Sequence, residues 1–260
     1  MTGLDVLVPS SPEEAVAAYG DGDGVTVIAG GTIVLPEITY GRLRPSKAIL
    51  LKDAGLAGIT RDGSRVTIGA TTPVVELTEL PAPIGPCAAN VADSEIRAQG
   101  TVGGNLCAGI GPEAPRGDLQ GALLAVGATV RTGGSGGEKT QPLEEFLADR
   151  EGKLLLDVSY DEPAAGAFAS LDRPHTHDYT ALAVSAARAE DGTTRLAVSG
   201  VAGHAVRLPS AEAKADNPQA AGEAAAGDAT FADDALASAW YRGQTLPVLV
   251  RRALTQLQEA

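Results

Sequence analysis

The sequence is poor in cysteine and in aromatic residues, and each shortage excludes a class of site. Its 260 residues include two cysteines, and aromatic residues make up 3%. An iron–sulfur cluster needs four thiolate ligands, so this chain cannot hold one by itself. Cys87 and Cys107 also lack the Cys-x-x-Cys spacing of a structural zinc site. We expect both to be small buried residues, and a shortage of aromatic rings argues against binding single-stranded nucleic acid.

Positive charge and long apolar runs are scarce as well. Lys and Arg total 20 against 33 Asp and Glu, which gives a net charge of −13. An acidic surface does not attract nucleic acid or an anionic membrane. No uncharged apolar run reaches the roughly 18 residues of a membrane span, and MTGLDVLVPSS lacks the features of a secretion signal. We therefore expect a cytoplasmic protein without a nucleic-acid partner.

The first part of the chain alternates short strands with short helices. Ser11 and Pro12 begin a capped helix, and VTVIA at 25–29 is typical of a buried strand. The segment 56–69 predicts a hairpin that turns at Asp62-Gly63. Apolar spacing predicts helices over 82–91 and 118–126, and a strand follows at 154–158.

The second part predicts an antiparallel sheet with helices. Two apolar segments flank Asp191-Gly192, which is a strong hairpin signal. The segment 209–230 shows little periodicity, so we expect a partly irregular connection there. A helical apolar stripe runs from Leu246 to Leu257. The order of elements indicates an α+β protein.

Two Gly-Gly pairs stand where a strand is expected to end, each beside polar residues. The first is Ala29-Gly30-Gly31-Thr32 and the second is Thr101-Val102-Gly103-Gly104-Asn105. Glycine permits positive φ and a close approach to the backbone, and successive amides in such a turn can converge on phosphate oxygens. Each pair alone is also compatible with an ordinary turn. Neither fits Gly-x-Gly-x-x-Gly or the P-loop pattern, so phosphate binding would require another fold.

Asp118 has two interpretations on spacing alone. It is suited to cap the helix that follows, because a carboxylate accepts hydrogen bonds from free amides at a helix start. It could also accept hydrogen bonds from the hydroxyl groups of a ribose, although spacing alone favours the cap.

Three strings resemble the FAD-binding medium subunit of molybdenum hydroxylases, in order along nearly the whole chain. They are AGGTIVLPEI (29–38), SEIRAQGTVGGNLCAGIGPEAPRGDLQGALLAVGATV (94–130) and ASAWYRGQTLPVLVRRAL (237–254). The resemblance implies an α+β fold of the vanillyl-alcohol oxidase-like (PCMH-type) class. Its two FAD-binding subdomains would span 1–55 and 56–162, and a C-terminal domain of antiparallel sheet and helices would span 163–260.

The resemblance also implies which residues bind FAD. They are Ala29, Gly30, Gly31, Thr32 and Ile33 in the first loop, Thr101, Gly103, Gly104 and Asn105 in the second, Asp118 on the ribose or adenine side, and Leu155 and Leu156 near the isoalloxazine. On the residues alone, the core of a strand is the favoured place for both leucines. The family commonly has a lysine near the flavin in the strand after the FAD-binding region, where this chain has Ser170.

The function implied is that of an oxidoreductase subunit that transfers electrons through FAD and has no catalytic acid–base pair of its own. It would take electrons from an iron–sulfur small subunit and pass them to an external acceptor, while a large subunit holds the molybdenum cofactor. We expect a dimer of such heterotrimers. Two alternatives stay open: a stand-alone flavin oxidoreductase similar to enolpyruvyl-sugar reductases, and a scaffold subunit without FAD. His175-x-His177 is weak as a metal site because no third ligand lies nearby in the sequence.

Overall fold

The first sheet is parallel and three-stranded. A computed structural model describes residues 4–109, 117–171 and 180–260. The strands pair in the order β1-β3-β2, with bounds β1 Asp5–Leu7, β2 Val25–Ile28 and β3 Lys47–Leu50. Two helices join them, α1 (Pro12–Tyr19) and α2 (Val34–Thr39). The predicted cap of α1 is confirmed, because Ser11 Oγ accepts the Glu14 amide at 3.2 Å.

The second sheet is antiparallel, with strand order β4-β5-β8-β6-β7. Its strands are β4 Ile59–Asp62, β5 Arg65–Gly69, β6 Thr129–Gly133, β7 Lys139–Pro142 and β8 Leu154–Asp161. Among the described residues, the α-helices that accompany it are α3 Ile84–Ala89, α4 Ser94–Gln99, α5 Val102–Leu106, α6 Asp118–Ala125 and α7 Leu143–Ala148. The predicted hairpin is present, but its two-residue loop is Gly63-Ser64 and not Asp62-Gly63, because Asp62 still pairs with Arg65 as the last residue of β4.

The third sheet is antiparallel, with strand order β12-β11-β10-β9. Its strands are β9 Ala165–Ser170, β10 Ala183–Arg188, β11 Thr194–Ser199 and β12 Val206–Arg207. The helices that follow are α8 Pro209–Glu212, α9 Pro218–Ala224 and α10 Ala239–Glu259. The segment 209–230 is more helical than predicted. Proline begins both short helices, and Asn217 Oδ1 accepts the Ala220 amide at 3.1 Å. Helix-start signals therefore stabilise these helices although the segment has little apolar periodicity.

Helix α6 lies between the second and third sheets. Every residue from Leu119 to Ala125 is buried. The apolar stripe of α10 packs on the opposite face of the third sheet, as the burial of Leu246, Leu249 and Leu257 shows. Because α6 is enclosed on nearly all sides, its N-terminus has a fixed position, and that N-terminus lies at the cleft described next.

Candidate functional site

A cleft of about 360 Å³ lies between the first sheet and the second sheet with its helices. Its walls come from β2, the loop after β2, helices α4 and α5, the start of α6 and the start of β8. Residues far apart in the sequence therefore meet there. Eleven of the twelve predicted site residues line it: Ala29, Gly30, Gly31, Thr32, Ile33, Thr101, Gly103, Gly104, Asn105, Asp118 and Leu155.

Leu156 is the predicted site residue that the structure does not bring to the cleft. Its side chain is fully buried in an apolar cluster that also contains Ile49 and Leu154. Leu154 and Leu155 line the cleft, whereas Leu156 packs in the core. The register of β8 against β6 shifts at this point, because Arg131 pairs with Asp157 and Thr132 with Leu155. Such an irregularity disturbs the strict alternation of side chains along a strand.

The first glycine pair forms a turn, as predicted. It follows β2 directly, and Gly31 has a φ of +75°, a conformation that residues with a side chain rarely adopt. Within the described residues, the amides of Gly30, Gly31, Thr32 and Ile33 have no hydrogen-bond acceptor. Four consecutive donors at the cleft can therefore serve an anion or another acceptor.

Close backbone contact joins the first loop to the segment before the second glycine pair. A methyl group on Gly30 would lie 2.0 Å from the carbonyl oxygen of Gln99 and 3.1 Å from Cα of Gly100. A methyl group on Gly100 would lie 3.6 Å from Oγ1 of Thr32. The two glycine-containing segments are thus direct neighbours in space.

The second glycine pair does not form a turn, so that prediction is wrong. Gly103 and Gly104 lie within α5 and have no positive φ. Thr101 caps this helix, because its Oγ1 accepts the Gly104 amide at 3.1 Å. The amides of Val102 and Gly103 donate to the carbonyls of Thr72 and Ala70, at 2.9 and 2.8 Å. These donors are engaged inside the protein, unlike those of the first loop.

Glycine is needed at the two positions of α5 for different structural reasons. A methyl group on Gly103 would lie 2.8 Å from the carbonyl oxygen of Ala70, so this position is restricted by packing against backbone. Gly104 is exposed, and a methyl group there would meet Thr101 Oγ1 at 3.0 Å and nothing else nearby. Gly104 therefore keeps the wall of the cleft open, while Gly103 allows α5 to approach the second sheet.

Asn105 links α5 to the start of α6. Its Oδ1 accepts the amide of Leu119 at 2.9 Å. Asp118 is the first residue of α6 and follows Gly117, so it does not act as the cap that spacing allowed. The backbone carbonyl of Asp118 accepts hydrogen bonds from Cys87 Sγ at 3.3 Å and Ser199 Oγ at 3.2 Å. Contacts from helix α3 and strand β11 therefore hold Asp118 at the cleft.

Two cationic residues of the cleft, Arg150 and Lys153, were not predicted from the sequence. Arg150 Nη1 donates to the Ala108 carbonyl at 2.8 Å, and burial lowers its pKa although a guanidinium stays charged at neutral pH. Lys153 Nζ lies 2.6 Å from the Asp149 carboxylate. Both follow α7 in a turn that carries no motif. Their only signal was a pair of basic residues just before an apolar strand in an acidic chain.

An apolar slot forms one part of the cleft. It is lined by side chains of the first sheet, α1 and β8: Tyr19, Val25, Val27, Leu51, Leu154 and Leu155. Cys107 also lines the cleft, and burial raises the pKa of its thiol to about 11. Both cysteines are free; Cys87 is buried as expected, which raises the pKa of its thiol as well, whereas Cys107 is partly exposed at the cleft, so the expectation that both are buried is wrong for Cys107. The cleft therefore offers amide donors and an apolar surface, with a thiol that stays protonated at neutral pH.

Histidine residues were the remaining candidates. His175 and His177 fall outside the described residues, and His204 Nδ1 lies 2.8 Å from the Ala205 carbonyl. In 4–109, 117–171 and 180–260, no three His, Cys, Asp or Glu side chains are grouped so as to hold a metal ion. Among the same residues, no helix combines the length and apolar character needed to cross a membrane.

Comparison with known proteins finds similarity along nearly the whole chain. The family described as FAD binding domain in molybdopterin dehydrogenase matches residues 2–159. The alpha subunit of the 6-hydroxypseudooxynicotine dehydrogenase complex of Paenarthrobacter nicotinovorans is 28% identical, over 97% of this chain and 94% of that protein. The carbon monoxide dehydrogenase medium chain of Hydrogenophaga pseudoflava is also 28% identical, over 95% and 94%.

The fold matches a solved structure over almost its full length. The structure is that of the Hydrogenophaga pseudoflava carbon monoxide dehydrogenase which lacks the Mo-pyranopterin moiety of the molybdenum cofactor. The match has a TM-score of 0.85 at 26% identity and covers 98% of this chain and 97% of that one. The predicted α+β fold of the PCMH-type class is confirmed by this likeness and by the antiparallel sheets.

Proposed function

Because the chain belongs to the family of FAD-binding domains of molybdopterin dehydrogenases, we propose that it is the FAD-binding electron-transfer subunit of a molybdenum hydroxylase complex. In this proposal it receives electrons from an iron–sulfur subunit and passes them to an external acceptor. The observation that carries the proposal is the cleft, which is lined both by a first loop whose four amides have no acceptor among the described residues and by helix α5.

Each wall of the cleft has a defined part in holding FAD. The amides of Gly30 to Ile33, with Ala29, bind the diphosphate, because they have no acceptor among the described residues. The opposite wall is α5 with its cap, formed by Thr101, Gly103, Gly104 and Asn105. The exposed backbone at Gly104 leaves room for close approach, and Asp118 accepts a hydrogen bond from a ribose hydroxyl.

The charge and the apolar lining of the rest of the cleft support the proposal. The chain has a net charge of −13, so its overall field repels a diphosphate, and binding depends on local donors. Arg150 and Lys153 add the positive charge that lines the cleft. The apolar slot, which includes Leu155, suits one of the two flat ring systems of FAD.

In the proposed function, the cofactor and the chain have different parts in the chemistry. FAD, when bound, supplies the one- and two-electron chemistry. The chain binds and orients it and excludes water from the apolar slot. A protonated Cys107 thiol is consistent with this passive role, because only a thiolate acts as a nucleophile.

The assembly is proposed from the relatives and from cysteine usage. The relatives are named as a complex subunit and a medium chain, which favours a subunit over a stand-alone reductase. With two cysteines, both free, this chain leaves the iron–sulfur clusters to a small subunit and the molybdenum cofactor to a large one, in a dimer of heterotrimers. Free thiols also support a cytoplasmic location.

We propose that the chain is divided at 55/56 and 162/163. The first sheet lies within 1–55, the second within 56–162 and the third within 163–260. The first two parts form the cleft, which is consistent with two FAD-binding subdomains followed by a C-terminal domain.

A matched pair of glycine substitutions tests the site. Gly104→Leu adds a side chain at an exposed helical position in the cleft, and Gly227→Leu adds the same side chain at an exposed position with no atom within 4 Å of its Cβ. We expect both variants to fold. Calorimetric titration with FAD should give tight binding by the parent chain and by Gly227→Leu, and binding weaker by at least about tenfold, or 1.4 kcal/mol, for Gly104→Leu. A parent chain that does not bind FAD would refute the function, and equal affinities for the two variants would refute the site.

A further inference from the structure

The cleft contains a residue held in a strained backbone conformation. Ala92 has a φ of +41°, and it is the sole non-glycine residue with positive φ in the described parts of the chain. It lines the cleft together with Val91 and Ile96. Left-handed conformations are unfavourable for residues with a Cβ, and they persist where the surrounding structure enforces them.

A single arginine side chain supplies the restraint. Nη1 of Arg97 donates to the carbonyls of both Val91 and Ala92, each at 2.8 Å. These are the two peptide groups that flank the strained residue. Asp93 follows at once and caps α4, since its Oδ1 accepts the Ile96 amide at 2.8 Å. The turn between α3 and α4 is thus fixed on one side by the helix cap and on the other by the guanidinium.

Glycine would adopt this conformation without strain, so the turn alone does not explain the alanine. Alanine differs from glycine by one methyl group, and this residue lies at the wall of the cleft. We propose that Arg97 is a positioning residue, which holds Ala92 in the left-handed conformation so that the 91–96 wall is shaped to pack against the bound flavin cofactor. The inference rests on the proposed function for the identity of the ligand, whereas the restraint itself belongs to the chain.

A double-mutant cycle between the two positions tests this inference. The four proteins are the parent, Arg97→Ala, Ala92→Gly and the double variant, and Arg61→Ala serves as a control because Arg61 forms an ion pair with Glu162 and does not line the cleft. FAD affinity and the visible circular dichroism of the bound flavin are measured for each. The unfolding midpoint in urea is measured without FAD.

We expect Arg97→Ala to weaken FAD binding by about tenfold, the size of the left-handed penalty for a residue with a Cβ, and to change the flavin dichroism. In the Ala92→Gly background the same substitution should change affinity by less than about threefold, because glycine needs no restraint. Without FAD, Arg97→Ala should lower the urea midpoint of the parent and change that of the Ala92→Gly variant much less. Arg61→Ala should leave FAD affinity and dichroism as in the parent.

Three results would overturn the inference. Arg97→Ala could leave affinity and dichroism unchanged, or it could be equally harmful with and without the Ala92→Gly substitution, which would mean that Arg97 acts elsewhere. In the absence of FAD, equal shifts of the urea midpoint in both backgrounds would show that no restraint exists. If the parent chain bound no FAD, the proposed function would fail, while the urea cycle would still decide whether Arg97 restrains Ala92.

Discussion

Replacing Gly30 with alanine is the most direct perturbation of the contact between the two glycine-containing segments. The added methyl group would lie 2.0 Å from the Gln99 carbonyl oxygen and 2.9 Å from the Gln99 carbonyl carbon. Ordinary van der Waals contacts begin at 3.4 Å. The first loop must therefore move away from Gln99 by about 1.4 Å, and because the neighbours are backbone atoms, no rotamer change can relieve the clash.

The displacement should affect stability and binding together. Overpacking of this kind costs about 1–3 kcal/mol, so the unfolding midpoint should fall in the absence of FAD. The same movement takes the four amide donors out of place. Losing one or two hydrogen bonds to a charged group, at about 1.5–3 kcal/mol each, should weaken FAD binding by at least about tenfold.

Gly136→Ala is the control for this experiment. Gly136 has no positive φ, and a methyl group there meets no atom within 4 Å. Its stability should stay within about 0.5 kcal/mol of the parent. Urea unfolding and calorimetric FAD titration compare the three proteins. If Gly30→Ala binds FAD as the parent does, the first loop is not the diphosphate site and the reasoning above fails.

Three further substitutions or treatments give separate tests. Asn105→Asp keeps an acceptor for the Leu119 amide but adds negative charge to the cleft. Thermal unfolding should therefore be nearly unchanged, while FAD affinity should fall, and fall more at low salt; unchanged affinity at low salt would contradict the site. Cys107 lines the cleft and is partly exposed, but its thiol has a pKa of about 11, so at pH 8 iodoacetamide should label it far more slowly in the native chain than after unfolding. Equal labelling rates of the native and the unfolded chain, followed by mass spectrometry, would refute the raised pKa. Burial raises the pKa of Tyr160 from 10 to about 12, so the folded state retains this proton more tightly and the associated stability is lost as pH rises from 10 through 12. Tyr160→Phe should therefore lose less stability over that range in urea unfolding, and a pH dependence equal to that of the parent would refute the assignment.

Much of the fold was predictable because local signals and tertiary packing agree. The Asp191-Gly192 hairpin, the strand at 154–158 and the apolar stripe of α10 all appear as expected. At the second glycine pair, the local preference of the residues and the tertiary packing disagree. Glycine is a poor helix former, which favoured a turn. The Thr101 cap and the close packing of Gly103 on Ala70 stabilise a helix there instead.

The site was predictable in part for a similar reason. The residues of the first loop and of α5 carry recognisable patterns, whereas Arg150 and Lys153 reach the cleft through sheet order alone. Strand β8 lies at the centre of the second sheet, and its first residues pack against the first sheet. No local sequence pattern predicts that the start of β8 contacts the first sheet. Asp118 was ambiguous because its spacing suited a cap, and the acceptor at the helix start comes from Asn105, which lies 14 residues before Leu119.

The enclosure of α6 has a practical consequence for protein engineering. Ser199 Oγ binds the Gly121 amide and the Asp118 carbonyl, and the Gln120 side chain accepts the Ala205 amide while donating to Leu106 and Ala108. A recombinant fragment that stops after β8 would retain nearly every described cleft residue yet lose these anchors and expose the apolar side of α6 to solvent. The smallest piece worth producing for flavin reconstitution therefore extends past Ala205, and grafting this cleft onto another scaffold would require transplanting the β10–β11 hairpin with it.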